Sequence, residues 1–295
     1  MARAIAPPAP PMTEAVPDPA QDAAALAALT ALVRGGRVVV LSGAGLSTES
    51  GIPDYRGPTG MVRRATPMTY RTFTGDPAAR RRYWARSHLG WQLVGRARPN
   101  AGHRAVAELQ RRGLLAGIVT QNVDGLHQAA GASAVVDLHG RLDRVVCLDC
   151  GGLSRRELLA ARLAVANTGW QARVTAVNPD GDVDLADAEL DGFRTVDCTA
   201  CAGTLKPDVV FFGETVPADR VARSYALVEQ AGALLVLGSS LTVMSGRRFV
   251  LRAVKLGIPV AIVNQGVTRG DAYAAVAVDA PLGRALPELV ARLAG

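Results

Sequence analysis

The chain has 295 residues, 49% hydrophobic and 20% charged, a globular balance with length for one large domain or a large domain carrying a smaller one. No apolar run reaches the roughly 20 residues needed to cross a bilayer, which excludes a helical membrane span. Lys plus Arg outnumber Asp plus Glu, 33 to 26, for a formal charge of +7. With no compact basic block and no interleaved aromatics, that surplus reads as solvated surface, and a nucleic-acid partner is not expected.

Residues 1–21 are rich in Ala and Pro without periodicity and are expected to form a disordered tail. Pro7, Pro8, Pro10 and Pro11 interrupt any secretory apolar region, and Glu14, Asp18 and Asp22 argue against a transit peptide, so a cytoplasmic protein is expected. The β-branched run Arg37 to Ser42 predicts a buried parallel strand. It leads into Gly43-Ala44-Gly45-Leu46-Ser47-Thr48, where glycines at a strand–helix junction let backbone approach a pyrophosphate and a helix N-terminus offers amide donors. Thr48 stands at the third glycine of G-x-G-x-x-G, and no acidic residue ends a second strand about 20 residues on. A hydride-transferring dehydrogenase is therefore disfavoured, while a dinucleotide ligand is retained.

Residues 57–98 read as a helical insertion, punctuated by Pro58-Thr59-Gly60 and Gly75-Asp76-Pro77. His103 follows Pro99-Asn100 and is expected in the first turn of a helix running through Glu108 and Leu109. A strand at Gly117–Thr120 runs into Gln121-Asn122-Val123-Asp124, and the apolar stretch Ala134–Val136 precedes His139. Further on, Ala233–Leu237 ends in Gly238-Ser239-Ser240, and Ile258–Val263 ends in Asn264-Gln265-Gly266. Ligands of doubly wound sheets bind at such carboxyl ends of strands.

Four cysteines occur, as Cys147-Leu-Asp-Cys150 and Cys198-Thr-Ala-Cys201. A two-residue spacer turns both thiolates of a pair toward one ion, so two pairs complete a tetrahedral Zn²⁺ shell. Two disulfides would fit poorly in a chain without an export signal. Four thiolates leave no open position, so one structural zinc is expected. Between the pairs, Asn178–Asp191 is acidic; its Asp180, Asp182 and Asp184 give an incomplete calcium loop and read as solvated. Val209-Val210-Phe211-Phe212 reads both as a buried strand and as an apolar tunnel wall. The predicted fold is α/β: a doubly wound, Rossmann-like parallel sheet from residues 22–56, 99–142 and 205–295. The helical segment 57–98 and a zinc-binding module at 143–204 interrupt it.

Around these landmarks the chain resembles the sirtuin family. Gly43 to Arg56 (G-A-G-L-S-T-E-S-G-I-P-D-Y-R) is similar to its signature loop, and Thr120 to His127 (T-Q-N-V-D-G-L-H) and Leu138-His139-Gly140 to its catalytic motifs. Lys206 to Glu214 (K-P-D-V-V-F-F-G-E) resembles its substrate-receiving segment and Gly238-Ser239-Ser240-Leu241 its ribose-binding turn. Arg82–Arg86, Asp143–Gly151, Pro179–Val183 and Ser245–Phe249 look most like the class II sirtuins, the group that includes mitochondrial sirtuin four.

The resemblance implies an NAD-dependent protein lysine deacylase that releases nicotinamide and O-acyl-ADP-ribose and acts on acylated protein lysines. The alternative is NAD-dependent ADP-ribosyl transfer to protein from the same pocket. It implies His139 as general base, with Asn122 orienting the reacting ribose, Gln121 contacting ribose hydroxyls and Asp124 holding the nicotinamide carboxamide. Gly43, Ala44, Gly45, Ser47, Asp54, Tyr55, Arg56, Gly238, Ser239, Ser240, Asn264, Gln265, Gly266 and Leu282 complete the expected cofactor set, and Val209, Val210, Phe211, Phe212 and Gly213 the substrate set. His88, His103 and His127 are expected to be structural.

Overall fold

Short runs such as Val-Val-Val-Leu and Leu-Leu-Val, apolar on both faces, are stable as strands only when helices cover each side. The computed structural model describes residues 19–54, 67–172, 176–177, 183–185, 190 and 192–294. In chain order its elements are α1 (Pro19–Arg34), β1 (Val38–Ser42), α2 (Tyr70–Gly75), α3 (Pro77–Val94), α4 (Ala101–Arg111), β2 (Leu115–Thr120), α5 (Leu126–Ala129) and β3 (Val135–Asp137). There follow β4 (Gly140–Cys147), β5 (Leu153–Arg155), α6 (Arg156–Ala166), β6 (Ala176–Val177), β7 (Val183–Asp184) and β8 (Leu205–Val209). The chain closes with α7 (Ala218–Glu229), β9 (Ala233–Leu237), α8 (Met244–Lys255), β10 (Val260–Asn264), β11 (Val276–Asp279) and α9 (Leu282–Arg292).

Six parallel strands form the larger sheet in the order β11-β10-β9-β1-β2-β3. The order reverses at β1, which lies between β9 and β2, and this is where a doubly wound sheet opens its ligand crevice. Strand alternation divides the core: Val38, Val40, Leu235 and Ala261 pack with α1, α4 and α9. Val39, Leu41, Val236 and Ile262 pack with Val228 of α7 and Phe249 of α8.

A smaller antiparallel sheet, β5-β4-β8, carries the cysteines, with the two-stranded β6-β7 beside it in sequence. Its core joins Val145, Leu159, Leu163 and Leu205 to Phe73, Tyr83 and Trp84 of the helical segment. Arg156 of α6, fully buried, lies over the rings of Trp84 and Trp91, 5.4 and 5.5 Å from their centroids, and donates to the Ser87 carbonyl. That cation–π clamp ties the cysteine-bearing module to α3.

Four local expectations are corrected. Helix α1 begins at Pro19, inside the segment assigned to the tail; proline suits a first helical position, and Leu26, Leu29 and Val33 bury the stripe that holds the helix. Residues 1–18 lie outside the described residues. After Gly43 the chain forms two 3₁₀ turns, Ala44–Leu46 and Thr48–Ser50, and not an α-helix. Gly51 at φ 82° ends the second turn, and Pro53, which has no N–H, follows. The Val209–Phe212 strand ends at Val209 and pairs with β4, so residues 205–209, counted with the larger sheet, belong to the smaller one. Strand β10 starts at Val260, because Pro259 lacks the N–H a central ladder requires.

Candidate functional site

The carboxyl ends of β1, β2 and β9 meet at the strand-order reversal. Backbone there is packed so closely that side chains are excluded: a Cβ on Gly43 would lie 2.7 Å from Ser239 Cβ, and one on Gly238 would lie 2.5 Å from the Leu46 nitrogen. Gly45 N–H donates to the Gly238 carbonyl, locking the two loops together at 2.9 Å. Asn100 caps α4 and donates through Nδ2 to the Leu46 carbonyl at 2.7 Å, anchoring the loop from below. Asn100 joins the site although no motif marks it; an Asn before a helix signals only a cap.

A network of short polar side chains lines this crevice. Asn122 Nδ2 donates to the Gly43 carbonyl and to Ser47 Oγ, each at 3.0 Å. Ser47 Oγ donates in turn to Asp124 Oδ2 at 2.7 Å, and Leu126 N–H donates to Asp124 Oδ1 at 2.8 Å. Burial raises the Asp124 carboxyl above the usual range, against the lowering effect of those two hydrogen bonds. Gln121 Nε2 donates to Ser239 Oγ at 2.9 Å, so β2 and β9 are also joined by side chains.

His139 lies between β3 and β4. Its Nδ1 is 3.0 Å from the Gln121 carbonyl, which can only accept, so Nδ1 carries the proton and Nε2 presents a lone pair. Burial, with smaller contributions from Arg248 and Arg220, pushes its pKa down to about 4, so the ring is neutral at working pH. Gly140 follows at φ 84°, and the His139 carbonyl accepts from Val210 N–H at 2.8 Å. The candidate base and the substrate-like segment are thus fixed to one another.

The other histidines are structural in their contacts. Fully buried His103 completes the α4 capping box with Asn100, and its ring stands edge-on to that of His127 at 5.3 Å. His127 Nε2 is 2.8 Å from Ser42 Oγ, which donates to Thr120 Oγ1, a cross-strand link under the crevice. Burial pushes His103 to about 4 and His127 to about 3. His88 packs its ring against Trp170 and Phe193.

The remaining residues divide by location. Ala44 opens the first 3₁₀ turn and Asp54 is buried at the end of this loop, while Tyr55 and Arg56 lie outside the described residues. Ser240 Oγ shares a hydrogen bond with Thr242 Oγ1, and Asn264 Nδ2 closes a turn onto the Gln265 and Gly266 carbonyls. Leu282 is buried in the α1/α4/α9 core beneath Gly238. Phe211 belongs to the aromatic core, its ring 5.2 Å from both Phe73 and Tyr83, whereas Phe212 is exposed. Phe212 bridges to Thr69, and Gly213 turns the chain at φ 78°. Glu214 Oε2 accepts from Phe211 N–H and from the buried Lys206 ammonium, bracing this loop. Asp180 and Asp182 lie outside the described residues, and nothing is described of the Asp184 side chain.

The four cysteine sulfurs lie within 4.8 Å of one another. Cys147 and Cys201 are 3.5 Å apart and Cys150 and Cys198 3.9 Å, far beyond a disulfide bond and close to the ~3.8 Å that tetrahedral Zn–S bonds of about 2.3 Å impose. Each pair sits on the same turn: Gly151 N–H donates to the Cys147 carbonyl and Ala202 N–H to the Cys198 carbonyl, with Gly151 and Ala202 both at positive φ. All four positions fit one structural zinc ion. No helix among the described residues is long and apolar enough to cross a membrane.

Residues 43–245 match the model of the Sir2 family. The chain is 62% identical to "NAD-dependent protein deacetylase 1" of Streptomyces coelicolor over 91% of this chain and 90% of that protein. It is 54% identical to the "NAD-dependent protein deacetylase 1" of Mycobacterium avium over 85% of this chain and 89% of that one. Among solved structures, a Sir2 with p53 peptide and NAD+ superposes with a TM-score of 0.72 at 28% identity, covering 90% of this chain and 96% of the other. A mutant Sir2 with deacetylated p53 peptide and 3'-O-acetyl ADP ribose gives 0.70 at 28% identity, covering 91% and 96%.

Proposed function

The chain belongs to the Sir2 family, and we propose that His139 is the general base with which it carries out NAD-dependent deacylation of protein lysines. It is an NAD-dependent protein deacetylase with a structural four-cysteine zinc site. The observation that carries the role of His139 is its geometry. A buried neutral imidazole is anchored by Nδ1–H to the carbonyl of Gln121, the neighbour of Asn122 in the loop, so Nε2 carries the lone pair that can take a proton.

The crevice fits NAD: it offers hydroxyls, carboxamides and backbone amides, with Asp124 as its buried carboxylate. NAD bound there would supply an electrophilic ribose carbon with nicotinamide as its leaving group and the acyl-lysine oxygen as the nucleophile. Asp124, held by Ser47 and Leu126, accepts from the nicotinamide carboxamide. Asn122 and Gln121 orient ribose hydroxyls, and Ser239, Ser240 and Asn264 serve the ribose and adenine. His139 Nε2 would take the proton from a ribose hydroxyl, leaving the electron pair on the oxygen that bonds to the acyl carbon, while the acyl C–N bond breaks, the lysine amine leaves and one water is taken up. The peptide runs beside Phe212 and Gly213, where backbone hydrogen bonds tolerate many sequences. The class II stretches Asp143–Gly151 and Ser245–Phe249 support membership of that group, and a zinc tetrathiolate suits a reducing cytoplasm.

The test is a panel of acyl-lysine peptides with NAD, read by mass spectrometry. Nicotinamide and O-acyl-ADP-ribose should appear together, and His139→Ala should lower kcat by about 10²–10⁴-fold while NAD still binds. Label from NAD that stays on protein without any acyl peptide would favour ADP-ribosyl transfer instead. Full activity in His139→Ala would refute the assignment of the base.

A further inference from the structure

The lone pair of His139 is already occupied by a side chain that no motif role accounts for. Ser245 Oγ lies 2.8 Å from His139 Nε2, across 106 residues of chain. Because the Gln121 carbonyl takes the Nδ1 proton, Nε2 can only accept here, so Ser245 is the donor. We propose that Ser245 is a positioning residue for the deacylation: its hydroxyl holds the Nε2 edge of His139 in the free enzyme and yields that edge to the ribose hydroxyl in the complex. This rests on His139 being the base.

The placement of Ser245 supports the role. It is the second residue of α8, whose entry loop comes from the Gly238 end of β9. The next residue, Gly246, packs directly against the end of the Gln121 side chain, since a Cβ there would lie 2.5 Å from Gln121 Oε1. One turn of α8 therefore touches both the Gln121 side chain and the histidine that the Gln121 carbonyl orients. The turn aligns the base and its anchor as a unit.

The chemistry requires an exchange of partners. An imidazole nitrogen has one lone pair, so Ser245 and a ribose hydroxyl cannot both donate to it. When the ribose hydroxyl displaces Ser245, its O–H bond breaks, Nε2–H forms, the positive charge rests on the imidazolium and the electron pair stays on the ribose oxygen. Ser245 keeps its own proton throughout. The charged groups facing the ring are Arg248, one turn along α8, and Arg220 of α7, whose guanidinium is paired with Asp208 of β8. Both cations disfavour the imidazolium, and so does a hydrogen bond donated to its neutral form.

Removing that donor should therefore make the free base more basic. In Ser245→Ala, the acid limb of kcat/KM, which reports free enzyme, should move up by about half to one pH unit, while the acid limb of kcat, which reports the complex, stays in place. Rates are taken within seconds of a pH jump from neutral stock, so that slow acid unfolding does not intrude. Ser245→Thr retains the hydroxyl and should restore the wild-type profile. Unmoved limbs in an active Ser245→Ala enzyme, or the same shift in both variants, would overturn the proposal. Should Ser245→Ala not fold, nitrogen-15 NMR of the histidine rings in the wild-type chain decides: Nε2 of His139 must be unprotonated and hydrogen-bonded without NAD, and an unbonded lone pair overturns the proposal. Full deacylation by His139→Ala would instead remove the underlying reading of the base, a separate failure.

Discussion

Replacing Gly140 by alanine tests whether the catalytic loop and the substrate segment are one mechanical unit. Gly140 sits at φ 84°, and an added Cβ would lie 1.9 Å from the Asp208 carbonyl oxygen, a distance real Cβ atoms do not approach. The left-handed conformation costs a non-glycine residue about 1–2 kcal/mol. In addition β8 must retreat by about 1 Å, because packed backbone cannot absorb the overlap. That movement breaks the antiparallel Gly140–Val209 pairing, which includes the 2.8 Å bond from Val210 N–H to the His139 carbonyl; the two flanking hydrogen bonds of such a pairing are worth about 1 kcal/mol each. The total is about 3–4 kcal/mol, or a fall of roughly 6–16 °C in Tm for a domain of this size. Gly131→Ala is the internal control, with φ 92° and nothing within 4 Å of the added Cβ, so it should show the conformational cost alone. Thermal unfolding and peptide deacylation would be measured on both. Equal Tm losses in the two variants, or undiminished kcat/KM in Gly140→Ala, would refute the reasoning.

Chelation of zinc, or Cys150→Ser, should unfold the cysteine-bearing module, since such sites contribute on the order of 10 kcal/mol. Metal content and activity should fall together, and activity persisting without bound metal would contradict a structural zinc. Burial holds His103 near 4 and His127 near 3, below the unfolded value of 6.5, so the unfolded chain binds more protons. Stability is then full above pH 6.5 and declines as pH falls toward the folded values, by up to about 1.4 kcal/mol per unit per histidine. Denaturant titrations between pH 7.5 and 5 read this, and His103→Gln should lower the slope by about one proton; Asp124 and Asp137, raised by burial, pull the opposite way. Glu214→Ala should cost about 3 kcal/mol, because it leaves the buried Lys206 ammonium on the Pro207 and Val209 carbonyls without its paired carboxylate. It should also raise the peptide KM by loosening the Phe211 amide; an unchanged KM would separate this ion pair from substrate binding.

Much of this protein is legible in its sequence wherever the determinant is local. Two C-x-x-C turns set their own geometry within five residues, so the metal set follows from spacing alone. Apolar runs ending in Gly, Asn and Ser mark strands with polar carboxyl ends, which is enough to locate the crevice on a doubly wound sheet. An Asn three residues before His103 specifies its capped first turn. Tertiary packing decided the rest, because the partner of each segment is distant in sequence. Residues Leu205–Val209 (L-K-P-D-V) carry no periodicity that assigns them to either sheet, and only their register with β4 places them in the smaller one. Phe211 and Phe212 are chemically alike, yet one enters the aromatic core and the other stays exposed, since the chain must turn at Gly213. The glycine loop became 3₁₀ turns under the close approach of Gly238. Ser245, read first as a mark of subclass, meets His139 only because α8 docks across the carboxyl end of the sheet. Periodicity and spacing are properties of a short stretch of chain; hydrogen bonds between distant segments exist only once the hydrophobic layers have packed.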